Sequence, residues 1–293
     1  MAHSPVTAAL EPAANTGNPA PAGLSITVRD MRFARNGKPA RWWLDNNPVA
    51  TAWYNCLSGT FPRGEAYFID SVKAHREGVP PQLAEEIRRF VVQEVNHTRE
   101  HLAFNRIATD AGYDMAYVDR RVEEKLQAQA GRPVILNLAA TMALEHYTAM
   151  MAHEMLANPA HFAGADAEVA GMWRWHAIEE IEHKGVAYDT WLHATRDWGR
   201  WKRWKVKSLL MLLVTKNFLF RRIVDTLYLL EQDGITGARA KWQLFIFLVA
   251  KPGMLRRIFP AWVAYFLPGF HPWNLDDRRL IAEAEQALRP DPA

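Results

Sequence analysis

The chain is nearly without cysteine. Cys56 is the only one in 293 residues, which excludes an intramolecular disulfide framework and any zinc site built on thiolates. A metal here would have to be held by histidine and carboxylate. Long apolar runs are missing too. No stretch offers the ~18 uninterrupted apolar residues of a membrane-spanning helix, and the nearest, residues 258–275, is broken by Pro260, Pro268 and Pro272. Residues 1–23 lack the basic start and apolar run of a secretion signal; rich in Ala and Pro, they read as a disordered tail. No repeat of roughly 20–50 residues recurs, and the net charge is a modest +3. A cytoplasmic location is therefore the default. Nucleic-acid binding is the weakest reading, because no known module surrounds the basic residues.

What the chain does have is apolar and aromatic. Hydrophobic residues make up 49% and there are 12 tryptophans, enough for a sizeable core. Residues 25–43 alternate apolar and polar positions, as in a short strand or an extended arm. Helical periodicity, with Gly and Pro as punctuation, predicts helices over 48–59, 61–75, 82–110, 115–130, 134–156 and 165–196. After Trp198 the character changes. Trp198, Trp201 and Trp204 are interleaved with Arg200, Lys202, Arg203, Lys205 and Lys207, ahead of further apolar helices. The expected division is a tail over 1–23, a helical bundle with an N-terminal arm over 24–197, and an apolar and basic helical region over 198–293.

The residues with chemistry sit on the helices. In residues 173–188, His176, Glu180 and His183 are spaced i, i+4 and i+7, which at ~100° per residue places them on one helix face. Glu179 sits at the edge of that face and Glu182 points away. A solvated charged helix would show the same spacing. The long helix over 82–110 carries a related set, Glu94, His97 and His101. Both sets contain E-x-x-H. Two other helices each offer an acid in apolar surroundings, Glu65 and Glu145. The order E, ExxH, E, ExxH is the pattern by which ferritin-like bundles hold two metal ions. Four carboxylates balance two divalent cations, whereas unpaired buried acids would cost several kcal/mol or take up protons. Such donors favour iron or manganese. The expected fold is thus all-α, a ferritin-like four-helix bundle with a di-metal core and additional apolar C-terminal helices. The expected ligands are Glu65, Glu94, His97, Glu145, His176, Glu180 and His183, with His101 and Glu179 as supporting residues or further ligands. His153 is a weaker supporting candidate, and His146 points away from its neighbour Glu145.

Four segments carry a family resemblance: FPRGEAYF at 61–68, QEVNHTREH at 93–101, LEHYTAM at 144–150 and WHAIEEIEHKGVAYD at 175–189. They resemble the bacterial proteins named "predicted metal-dependent hydrolases", a ferritin-like group. The H-x-x-x-E-x-x-H of His176, Glu180 and His183 is also similar to the fourth-helix pattern of di-iron arylamine N-oxygenases, which implies His176 as an added ligand.

These readings lead to a di-metal enzyme, with two iron ions or a manganese–iron pair, that activates O2 to hydroxylate, N-oxygenate or desaturate a lipophilic or aromatic small molecule. That chemistry calls for an electron donor, which the sequence does not identify. The alternatives are the two-metal hydrolase that the family name implies, or a ferritin-like metal-binding protein. Tryptophans and cations over 198–222 are of the kind found at a membrane interface; they fit a peripheral membrane contact, a homodimer surface, or simple packing on the bundle.

Overall fold

The computed structural model describes residues 24–33 and 39–288, and the tail over 1–23 lies outside them. Among the described residues there is no strand, only an isolated bridge between Leu44 and Ala165. Eleven α-helices are found there: α1 (Pro48–Ser58), α2 (Phe61–Lys73), α3 (Pro81–Asp110), α4 (Met115–Gln127), α5 (Val134–Ala157), α6 (Ala167–His183), α7 (Val186–Ala194), α8 (Arg200–Glu231), α9 (Gly237–Phe245), α10 (Met254–Ala264) and α11 (Arg278–Leu288). Local chemistry sets several starts. Asn47 accepts from the amides of Val49 and Ala50, Asp114 from that of Tyr117, and Asp166 from those of Glu168 and Val169. Each satisfies helix-end donors that would otherwise lack partners.

Four of these helices define the interior. α2 packs on α3, α3 on α6, α6 on α5, and α5 back on α2, closing a ring. α5 is apolar nearly all round, with sixteen buried residues between Leu138 and Met155, as expected of a helix surrounded by others. α1 lies against α3 and α8, and α8, α10 and α11 each pack on the ring.

Of the two forms expected for residues 25–33, the arm is found and not the strand; it lies across α3 and α6, held by side chains of those helices. One sequence expectation needs correction. The helix expected over 165–196 is two helices, broken at Lys184 and Gly185. There the segment before α11 docks. Lys184 Nζ donates to the Leu275 carbonyl at 2.8 Å and to Asp277 at 2.6 Å, and the Trp273 ring sits where a Gly185 Cβ would be. Apolar periodicity continues through the break, so the pattern alone did not expose it.

No helix among the described residues is long and apolar enough to cross a membrane. α8 buries one face on α1 and α5 and leaves Trp201, Leu209, Leu212, Leu213 and Phe220 exposed on the other.

Candidate metal centre

The ring of α2, α3, α5 and α6 has a polar interior. Glu65 comes from α2, Glu94 and His97 from α3, Glu145 from α5, and His176, Glu180 and His183 from α6. None is more than 3% exposed. Their donor atoms fall into overlapping groups: Glu65, Glu94 and His97; His97, His176 and Glu180; and Glu94, Glu145 and His183. Glu94 belongs to two of these groups. Glu180 spans the same gap, with Oε1 at 2.9 Å from His176 Nε2 and 3.4 Å from His97 Nδ1, and Oε2 at 3.6 Å from His183 Nε2. Glu94 and Glu180 thus stand between two ends of the cluster, with Glu65, His97 and His176 toward one and Glu145 and His183 toward the other.

The inward atoms lack hydrogen-bond partners. Both oxygens of Glu94 and of Glu145, Oε1 of Glu65, Oε2 of Glu180, Nδ1 of His97, and Nε2 of His176 and His183 are buried without one. Buried polar atoms are normally paired, and each orphan costs roughly 1–3 kcal/mol. Even His176 Nε2 and Glu180 Oε1, 2.9 Å apart, are not aligned as donor and acceptor. These atoms aim past one another toward shared space. That arrangement fits cations, which would take up every orphan at once.

The outer atoms, by contrast, are paired, and the pairing fixes each imidazole. Gln93 donates through Nε2 to the Thr27 carbonyl and Glu182, so its Oε1 accepts from His183 Nδ1 at 3.0 Å and leaves the His183 Nε2 lone pair facing inward. His97 Nε2 donates to Glu179 Oε2 at 3.0 Å, leaving Nδ1 inward. A longer relay orients His176. Asn105 Nδ2 donates to the Ser58 carbonyl, so Asn105 Oδ1 accepts the Ser58 hydroxyl proton. Ser58 Oγ then accepts from His101 Nδ1 at 2.8 Å, and His101 Nε2 accepts from His176 Nδ1 at 2.6 Å. The remaining lone pair of His176, on Nε2, faces the cluster.

His101 therefore has both ring nitrogens engaged, although Nε2 lies near Glu65 and His176; it acts through His176. Glu179 is likewise occupied, with Oε2 on His97 and Oε1 on the Arg29 amide. His153 lies elsewhere, bonded to Asp277 at 2.7 Å, and His146 packs against Tyr265 and Phe270. Residues not singled out from the sequence are Arg29, Ser58, Gln93, Thr98, Asn105 and Glu182. Thr98 donates to Glu65 Oε2 at 2.7 Å. Gln93, Thr98 and Glu182, each beside an E-x-x-H member, and Asn105, one turn after His101 on α3, left a positional hint. Arg29 and Ser58 come from distant segments.

Electrostatics agrees with the geometry. Burial, with no full partner, lifts the Glu65 carboxyl to about 8 and raises those of Glu94 and Glu145. Glu180 is also pushed up by burial, but the His183 and His176 rings outweigh this and hold it well below the usual range. Burial opposes charge on His97, yet Glu179 and Glu180 carry it up to about 10. Burial, followed by the His97 charge, takes His176 down to about 4. These opposed shifts follow from several acids and imidazoles sharing one buried interior. Aromatic rings keep the cluster dry: Phe61 lies 4.5 Å from the His101 ring and 4.6 Å from that of His176, Trp175 is 4.9 Å from His97, and Phe90 is 4.9 Å from His183.

Among the described residues the regular structure is helical, and the carboxylate and imidazole cluster at its centre is of a kind that could hold metal. More particularly, residues 27–276 match the family described as "Predicted metal-dependent hydrolase", and the chain belongs to that family. The match begins at the arm that carries Thr27 and Arg29. No curated protein and no solved structure matches the chain.

Proposed function

We propose that the protein is a two-metal enzyme of the ferritin-like carboxylate type. The observation that carries this reading is the convergence of unpartnered donor atoms from four helices in one dry interior. Glu65, His97 and His176 would hold one cation, Glu145 and His183 the other, with Glu94 and Glu180 between them. Hydrolysis is the reaction that the family description favours. A bound metal pair would supply Lewis acidity and lower the pKa of water. The chain's own residues keep the three imidazoles turned inward, through Glu179, Gln93 and His101, and exclude bulk water with Phe61, Phe90 and Trp175.

A second reading is O2-dependent oxidation of a small molecule by two iron ions or a manganese–iron pair. The donor set favours it, being rich in carboxylate and free of thiolate. One experiment separates the two. Metal-free protein is loaded under anaerobic conditions with Mn(II), Zn(II) or Fe(II), and metal content is measured. Two ions per chain support the centre, and none overturns it. Cleavage of ester or amide substrates without air supports hydrolysis. Turnover that requires Fe(II) and consumes O2 in proportion to oxidised substrate supports the second reading.

A further inference from the structure

An apolar cavity of about 280 Å³ lies between α2, α4, α5 and α8, directly beside the centre. Its inner wall includes Phe61, Gly64 and Phe68 of α2 and Leu144 and Thr148 of α5. These residues flank Glu65 and Glu145 along the chain, and Phe61 also stacks on His101 and His176. Leu57, Phe61, Phe68 and Met151 are buried, whereas Arg132 and Leu213 are exposed. The cavity thus runs from the surface to the flank of the carboxylate cluster.

Its rim is cationic. Arg121 and Arg222 share the buried Asp225. Lys125, Arg132 and Arg221 also line the cavity, and among the described residues none of the three has a carboxylate partner. Burial, together with the charges of Arg221 and Arg132, draws the Lys125 amine below its ordinary value, so the three cations feel one another. Unpaired like charges gathered on an apolar mouth are unfavourable in the free protein and favourable once an anion arrives. The volume bounds the ligand as well. Small-molecule pockets span ~300–1,000 Å³, so this one, at the small end, has room for a single chain and not for a two-chain lipid.

We propose that this cavity binds a single-chain anionic amphiphile, its chain against α2 and α5 and its carboxylate or phosphate head on Lys125, Arg132 and Arg221. That this ligand is the substrate rests on the two-metal reading; that it binds does not.

The test is displacement of a fluorescent fatty acid from the full chain by dodecanoate, dodecyl phosphate and dodecanol, with metal content measured in parallel. The charged head is expected to strengthen binding roughly tenfold or more over the alcohol, the scale of a charge-assisted hydrogen bond. Dodecanoate and dodecyl phosphate distinguish a fatty-acid source from a phosphorylated one; binding of either supports the proposal. Replacing Lys125, Arg132 and Arg221 together by Ala should bring both anions down to the alcohol and leave the alcohol unchanged. Gly64→Leu gives a second handle. A Cβ at Gly64 meets no atom within 4 Å, so the leucine enters the cavity and should abolish binding of all three ligands while metal content stays at wild type. Equal affinity for alcohol and anion, or full binding by the Gly64→Leu protein, overturns the proposal. A chain that binds dodecanoate but no metal keeps the cavity and loses the enzyme.

Discussion

Arg29 grips Glu182 through two bonds, Nη2 to Oε1 at 2.7 Å and Nη1 to Oε2 at 3.0 Å. The pair joins the N-terminal arm to α6. It also lies behind two imidazoles of the cluster. Glu182 accepts from Gln93, which holds His183; Glu179, which accepts from the Arg29 amide, holds His97. Arg29 further reaches Glu285 of α11. One side chain therefore ties the arm and the last helix to the backing of the site.

Arg29→Met should for this reason weaken metal binding without removing a ligand. Loss of an outer partner of a metal ligand typically costs ~10–100-fold in affinity. The same variant leaves Glu182 buried without its counter-charge, so the melting temperature should fall as well. Metal titration of the variant checks the first effect and thermal melts the second. Wild-type affinity in a destabilised protein would show that the arm braces the fold alone.

Glu145 sets stability against function. Neither of its oxygens has a hydrogen-bond partner, and the nearest imidazole, His183 Nε2, is 3.4 Å from Oε2. In the metal-free protein a buried acid of this kind is a cost, and burial raises its pKa. Glu145→Gln removes the ionisable charge and should therefore leave the metal-free protein at least as stable as the wild type. It should also reduce metal content to one ion or none and diminish the stabilisation that metal confers on the wild type. Paired melts with and without Mn(II) measure both. If Glu145→Gln destabilises the metal-free chain, Glu145 has a structural partner and is not waiting for a cation.

Much of this was legible in the sequence, and for an identifiable reason. Glu94 with His97, and Glu180 with His183, share a helix, so a spacing of three residues already fixes their common face. Glu65 and Glu145 could be read because an acid in an apolar helix is anomalous. Of the outer partners, His101 and Glu179 were legible on the same helix faces, and the rest were not. Ser58, Arg29 and Glu182 meet His101, Glu179 and Gln93 only through the fold, across separations that no periodicity records. The break after His183 escaped for a similar reason, since the Trp273 ring packed against it comes from far along the chain.

Gly185→Ala tests that packing. An added Cβ would lie 2.5 Å from Trp273 Nε1 and 2.7 Å from Cε2, closer than atoms can approach. The indole must move, and with it the segment that carries Asp277 to Lys184. Overpacking of this kind costs ~1–3 kcal/mol. In a Trp273→Ala background the clash is gone, and Ala at a helical position should be neutral or mildly favourable. A double-mutant cycle on melting temperature or denaturant midpoint reads the coupling. Equal cost in both backgrounds would mean that Trp273 is not what crowds Gly185.

Lys207 gives a pH dependence whose sign can be worked out. Its ammonium is buried on α8, donates to the Tyr265 carbonyl at 2.7 Å, and lies 4.8–5.7 Å from the ring centres of Tyr265, Phe270 and Tyr188. Burial lowers its pKa from 10.5 to about 8. Folding therefore penalises the charged form. The penalty is absent above pH 10.5, where the amine is neutral in both states, grows as pH falls from 10.5 to about 8, and is constant below that. At ~1.4 kcal/mol per pH unit the full effect is at most ~3 kcal/mol, reduced by the cation–π contacts to the three rings. Lys207→Met should thus be more stable than wild type at pH 7, by a margin that narrows as pH rises toward 10. Denaturant unfolding of both proteins at pH 7, 8.5 and 10 gives the comparison. A margin that is flat with pH would mean that the ammonium is solvated and that the aromatic enclosure exerts no desolvation on it.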